Sequence, residues 1–431
     1  MPLHRTAREY ICEKTSPGKH QLTLLFPNFL QAKSRFIPVT TQIYRYTLFQ
    51  IGYMNRNLLT ICVLVLCLAL GTTSHVLAQN QPADTTATKV EKTRGVIPIP
   101  VLYYTPDTKL GFGAALLGFF KLKNSEDEGY TRLSQVRLIA DYTLRKQTDQ
   151  LLDWAVFTRD EKFLLRGELR HRVYIDRFYG IGNDTPESDE EIYEYDYVSA
   201  RLAALKKVGA KTFFGPDFQI ANYYNTKLNP INADRESQLL TQQIPGYQGG
   251  VNSGLGLVFL LDSRDNVAFA SSGTYLEMSG YRFGSTFGGD FGYNNFNLDF
   301  RKYFQLKPNH VLAHNTSFNL NNGAIPVMRM AMAGGDRILR GYAKNRFLED
   351  NFAGTQMEYR FPLFWRFGMA AFAGIGDVFD KPNDVRFSTL KYSIGSGLRY
   401  ALNPEQKLNI RVDIGYGREG ANFYVMIGEA F

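Results

Sequence analysis

The chain reads as all-β, a transmembrane antiparallel β-barrel of about sixteen strands over residues 95–431, with one loop folded inward ahead of the twelfth strand. Three observations predict this. Apolar and polar residues alternate with period two along many segments, and beyond the leader no apolar run reaches the roughly eighteen residues that a membrane-crossing helix needs. The connections between segments also sort into short and long sets on alternate sides.

The N-terminal 78 residues are set apart from the fold. Met54-Asn55-Arg56-Asn57 is a basic start, Leu58 to Leu70 is an apolar run too short to span a bilayer, and Val76-Leu77-Ala78 is a small-residue cleavage site, so residues 54–78 are expected to be a signal peptide cut after Ala78. Lipidation at Cys67 is the less favoured reading, because Cys67 lies inside the apolar run behind Val65 and Leu66. Residues 1–53 precede a complete signal sequence and are expected to be a non-native upstream extension, the alternative being a genuine extension. Cys12, Cys62 and Cys67 all leave with the leader, so the exported part relies on neither disulfides nor thiolate metal sites. The leader carries eight Lys+Arg and two Asp+Glu, so the net charge of +8 falls to +2, which gives no basic surface for nucleic acid. Residues 79–94 form a polar, disordered lead-in.

The strands follow. In Leu408 to Tyr416 every even position is apolar and every odd one is polar or glycine. From Phe163 to Asp176, Phe163, Leu165, Leu169, Val173 and Ile175 share one face, while Arg166, Glu168, Arg170, Arg172 and Asp176 share the other. A soluble sandwich buries the apolar face; a membrane barrel turns the same face to lipid and encloses the polar one. Connection lengths favour the barrel. Short links are expected at Asp160-Glu161, Val208-Gly209-Ala210, Leu306 to Asn309, Pro362-Leu363 and Leu402 to Glu405, and long ones at Phe178 to Glu191, Thr226 to Gly246 and Gly323 to Asn351. The last strand places Phe423, Val425, Ile427 and Phe431 on one lipid-facing side, interrupted by Glu429.

The loop Gly334-Gly335-Asp336-Arg337-Ile338-Leu339-Arg340-Gly341-Tyr342 plants an arginine between glycines. Such an arginine calls for a carboxylate, and the strands after it offer Glu358 and Asp377. Inside a barrel a paired charge is tolerable and an unpaired one costly. On this loop, on Asp262-Ser263-Arg264-Asp265-Asn266 after the eighth strand, and on the terminal aromatic, the chain from Gly95 to Phe431 resembles the BamA/TamA family of outer-membrane assembly barrels, the bacterial surface antigen family. The resemblance implies that Arg340 occupies the lumen and pairs with Glu358 and Asp377, that Gly341 permits a tight tip, and that Tyr342 packs on the wall. It implies a place in the outer membrane of a Gram-negative-type bacterium, in contact with its lipids. The function implied is insertion, assembly or translocation of proteins or lipids, with client outer-membrane proteins or a periplasmic partner. Inserting members carry periplasmic POTRA domains ahead of the barrel. Only Gln79 to Thr93 precedes the first strand here, so a variant without such domains is expected, and docking through them does not carry over.

Pro98 and Pro100 lie two apart on the first strand, so their missing N–H groups fall on one edge. If that edge meets the last strand near Phe431, the barrel seam is weak and could open sideways, and a client strand could add to it. Val96 to Pro100 could equally be a lead-in ahead of the strand. Catalysis is not expected: beyond the leader only His171, His310 and His314 remain, no His-Glu-x-x-His occurs, and Gly395-Ser396-Gly397 lies in an alternating strand without a turn. No cofactor or metal site is indicated, and the acidic run Asp184 to Asp196 reads as a solvated loop. A passive porin or lipid-handling channel is the rival reading, and an outer-membrane lipase or protease a more distant one.

Overall fold

A computed structural model describes residues 93–122, 131–230, 236–267, 269–403 and 408–431. The expected extension, signal peptide with its Ala78 cleavage site, and nearly all of the lead-in lie outside the described residues. The strands are β1 (Arg94–Thr105), β2 (Lys109–Phe120), β3 (Ser134–Thr143), β4 (Thr148–Phe157), β5 (Phe163–Phe178) and β6 (Glu191–Gly209). They continue with β7 (Thr212–Pro230), β8 (Gly250–Asp262), β9 (Gly273–Phe283), β10 (Tyr293–Lys307), β11 (His310–Gly323) and the short β12 (Ala331–Ala333) and β13 (Phe347–Glu349). The last five are β14 (Asn351–Phe364), β15 (Phe367–Phe379), β16 (Lys391–Asn403), β17 (Leu408–Gly417) and β18 (Gly420–Ile427).

Sixteen of these close one antiparallel barrel, each beside its sequence neighbour except that β11 pairs with β14 and β1 with β18. The hairpin β12–β13 stands apart from the wall. Alternation explains the faces. Leu165, Leu169, Leu202, Leu257, Leu398 and Ile414 are exposed on the outside, while their neighbours Arg399, Arg411 and Asp413 are buried inside. Water would not leave such an apolar exterior uncovered, and lipid suits it. Near the rim that carries the C-terminus, Phe364, Trp365, Phe367 and Tyr400 form a contiguous ring cluster, with centroids 5.2–6.2 Å apart, of the kind that marks a membrane interface. The turn here is Trp365-Arg366, because Pro362 remains inside β14 opposite Gly368.

The same rim is tied by Glu161, buried in the β4–β5 connection. It accepts from the backbone N and the Nε of Arg132, each at 2.9 Å, and lies 3.3 Å from Lys207 Nζ. Burial pushes the Glu161 carboxyl up, but Arg132 and Lys207 outweigh it and hold the group below its ordinary 4.5. A depressed carboxylate stabilises the fold above its unfolded pKa and loses that contribution as pH falls through the folded value. Glu161→Gln should therefore lose less thermal stability than the parent barrel between about pH 6 and about pH 3, followed by heat-modifiability on gels. Parallel acid profiles would remove Glu161 from the acid response.

The C-terminus corrects one expectation. Strand β18 stops at Ile427, Gly428 takes φ 88°, and Phe431 is buried with Ala270, Tyr303, Val311, Ala313 and Ala430 instead of extending the lipid-facing row. Arg360 Nη2 donates to the Phe431 main-chain oxygen at 2.9 Å, and Arg399 Nε reaches Glu429 Oε2 at 3.0 Å. Glu429 thus breaks the apolar pattern because the tail turns inward to meet cations.

Candidate functional site

From β11 the chain enters the lumen, forms the β12–β13 hairpin and places residues 334–342 against the inner wall. Gly335 N donates to Tyr342 O at 3.1 Å and pinches the loop closed. Leu339, at φ 53°, is fully buried beside Tyr342, Phe352 and Val378. Gly334 and Gly335 take φ 107° and 111° at the neck of the loop.

Arg340 is fully buried. Its Nη2 meets Glu358 Oε2 at 2.5 Å, its Nη1 meets Asp413 Oδ2 at 2.6 Å, and its guanidinium lies 3.5 Å from the centre of the Phe372 ring. Asp413 also receives Arg411 Nη1 at 2.6 Å and Arg399 Nη1, and Glu358 receives Arg360 Nε at 2.7 Å. Arg411 continues to Asp336, whose main-chain oxygen accepts at 2.9 Å and whose Oδ2 lies at 3.3 Å. Four arginines, Arg340, Arg360, Arg399 and Arg411, therefore face four carboxylates, Asp336, Glu358, Asp413 and Glu429. Each of these arginines has a carboxylate partner, and that pairing makes its burial tolerable.

The tip lies directly on β17 and β18. Gly341, at φ 126°, has the backbone of Tyr416 and Gly417 at 2.8 Å from where a Cβ would sit, so no side chain fits. Its N–H donates to Tyr424 Oη at 3.2 Å, and its carbonyl accepts from Asn422 Nδ2 at 2.7 Å. Tyr342 Oη donates to Tyr392 O at 3.0 Å and accepts from Arg418 N at 2.9 Å. Further along the loop, Lys344 Nζ reaches Tyr174 Oη at 2.9 Å and Asp176 Oδ1 at 3.2 Å, which fastens the plug to β5 on the opposite wall.

Asp377 is not a partner of Arg340. On β15 it stands opposite Ala353, whereas Phe372 is the residue opposite Glu358. Five residues separate the two levels, roughly 16 Å along the strand. Asp377 Oδ1 instead takes Lys391 Nζ at 2.7 Å, near the far rim. Asp413, Arg360, Arg399 and Arg411 belong to no motif of the sequence; the one signal for Arg411 and Asp413 is their place on the polar face of an alternating strand. In the connection after β8, Arg264 Nη2 pairs with Asp262 Oδ2 at 2.8 Å, and Asp265 Oδ1 accepts from the backbone N of Ser271 at 2.8 Å, so that motif orders its own turn. The acidic run divides between a helical turn and β6, where Glu191 is buried and accepts from Ser237 Oγ at 2.7 Å.

The seam has its own geometry. All 12 residues of β1 pair with β2, but β1 meets β18 in register only at Tyr104 and Val425. Lys121 N donates to Thr93 O, continuing the β1–β2 register, so odd-numbered residues turn their backbone groups to β2 and even-numbered ones to the other edge. Pro98 and Pro100 therefore lack their donors on the edge that faces β18. Phe431 lies inside the lumen and away from this edge, because the inward turn at Gly428 carries it to Arg360.

Among the described residues no group of three or more His, Cys, Asp or Glu is placed to hold a metal ion. Residues 151–431 match the model of the Omp85 superfamily domain. The fold is similar to that of BamA from Haemophilus ducreyi lacking POTRA domains 1-3, at TM-score 0.52 and 14% identity, covering 78% of this chain and 70% of that one. It is also similar to CdiB from Escherichia coli, at TM-score 0.50 and 10% identity, covering 78% of this chain and 63% of that one. Comparison with curated protein sequences finds no match.

Proposed function

Because this chain belongs to the Omp85 superfamily, we propose that it is a barrel of the Gram-negative outer membrane that inserts, assembles or translocates proteins or lipids through a lateral opening between its first and last strands. The observation that carries this reading is the seam. One paired position and two missing donors leave most of the β18 edge unladdered, and an unladdered edge is where an extended client segment adds by backbone hydrogen bonding. The loop in the lumen supports the same reading against a passive porin: ion pairs of Arg340 and Lys344 strap it inside the bore. No step in this function requires a catalytic residue. Client outer-membrane proteins and a periplasmic partner are the partners proposed.

The test is a pair of cysteines at Tyr104 and Val425, the one position where the two strands face each other. Oxidation should abolish assembly of client barrels, a reductant should restore it, and the locked barrel should remain folded on heat-modifiability gels. Full activity of the oxidised form would reject lateral opening. Steady, large conductance steps from the parent protein in planar bilayers would favour the porin instead.

A further inference from the structure

The outward face of the wall formed by β9, β10, β11 and β14 carries a polar patch where lipid should be. Lys302 shares the outward face of β10 with the exposed Phe296 and Phe304, while its neighbours Arg301 and Tyr303 turn inward, Arg301 to Asp299 and Tyr303 to the buried side. Lys302 has no carboxylate within ion-pair distance among the described residues; its Nζ donates to Thr274 Oγ1 at 2.9 Å and lies 5.6 Å from the centre of the Phe304 ring. Directly across from Lys302 stands His314, and the row continues to Met357, which is also exposed. His314 Nε2 bonds Thr355 Oγ1 at 2.9 Å, and Thr316 Oγ1 lies 2.9 Å from Thr355 Oγ1, so imidazole and hydroxyls form one network. A lysine on the lipid face is destabilising unless its charge finds water or a counter-ion.

The level of this patch says which counter-ion. One outward row closer to the terminus-bearing rim run Phe304, Leu312 and Tyr359, with His310 Nδ1 on Tyr359 Oη at 2.7 Å. That aromatic and polar row has the composition of an interfacial belt. Lys302 is two residues above it, within the reach of a lysine side chain leaning toward the headgroups.

We propose that Lys302, with Thr274 beside it on β9 and His314 across from it on β11, forms a binding site for the headgroup phosphate of an anionic phospholipid in the leaflet at the terminus-bearing rim. The site lies on the outside of the wall and does not depend on lateral opening for its function. The full barrel, purified in non-ionic detergent, is mixed with dioleoylphosphatidylglycerol, with dioleoylphosphatidylcholine or with inorganic phosphate, and retained lipid is counted by native mass spectrometry. Phosphatidylglycerol should be retained in preference to phosphatidylcholine, and Lys302→Leu should weaken it about fivefold. Lys381→Gln, on an exposed loop, should leave retention unchanged. Lys302→Leu makes the lipid face more apolar, so folding is expected to be at least as good, which heat-modifiability verifies. Equal retention by Lys302→Leu would overturn the proposal. So would displacement of the lipid by inorganic phosphate, which would assign the site to a soluble anion, or a change of oligomeric state without a change in lipid, which would make the patch a protein contact.

Discussion

Asp413→Ala is expected to cost this barrel more stability than any other single change in the lumen, on the order of 3–5 kcal/mol for a buried ionic partner removed. Three guanidiniums converge on Asp413, those of Arg340, Arg399 and Arg411, and arginine cannot shed its proton to escape an unpaired burial. Arg340→Ala should be milder. It leaves Glu358 held by Arg360 and Arg399, and Asp413 held by Arg399 and Arg411, so no carboxylate is stranded. Asp377→Ala should also be milder, because the cation it strands is Lys391, which can lose its proton when buried. The three variants, compared by the fraction of heat-modifiable barrel as temperature rises, should rank with Asp413→Ala lowest. A ranking in which Asp413→Ala matches the parent would mean that the cluster is solvated and its pairs nearly without effect.

Gly415→Ala is expected to unseat the plug. A Cβ at this position would stand 2.3 Å from the Arg340 carbonyl oxygen and 2.8 Å from Gly341 N, and both atoms belong to loop backbone that cannot rotate aside. The loop tip must lift from β17, and Arg340 must then leave Glu358 and Asp413. Overpacking of this kind costs about 1–3 kcal/mol by itself, and the disrupted ion pairs add to it. The expected readouts are a lower thermal midpoint and larger, steadier conductance steps in planar bilayers. Gly280→Ala is the control, since a Cβ there meets nothing within 4 Å. Unchanged conductance in Gly415→Ala would show that the loop tip does not limit ion passage.

Much of this molecule was legible in its sequence because barrel strands are local objects. The alternation in Leu408 to Tyr416 assigns each side chain to a face without knowledge of any partner, and it placed Arg411, Asp413 and Gly415 together on the inner one. The arginine between glycines at 334–341 was likewise visible, as was the edge of β1 on which two prolines leave no donors. Glu429 was noticed as a break in the last strand, but its reason was not visible, since the inward turn at Gly428 depends on Arg360 and Arg399 reaching it from other strands.

What the sequence determined by itself was periodicity, and hence the all-β class, the two faces of each strand and the approximate strand number. Which charges meet was decided only by tertiary structure. Closure of the barrel sets the stagger between strands, and that stagger brought Asp413 to the level of Arg340 while leaving Asp377 roughly 16 Å up its strand. Period-two patterning carries no information about such offsets along the strand axis. The same holds for the outer wall, where Lys302, His314 and Thr355 lie far apart in the chain and share a patch only because β10, β11 and β14 pair in that register.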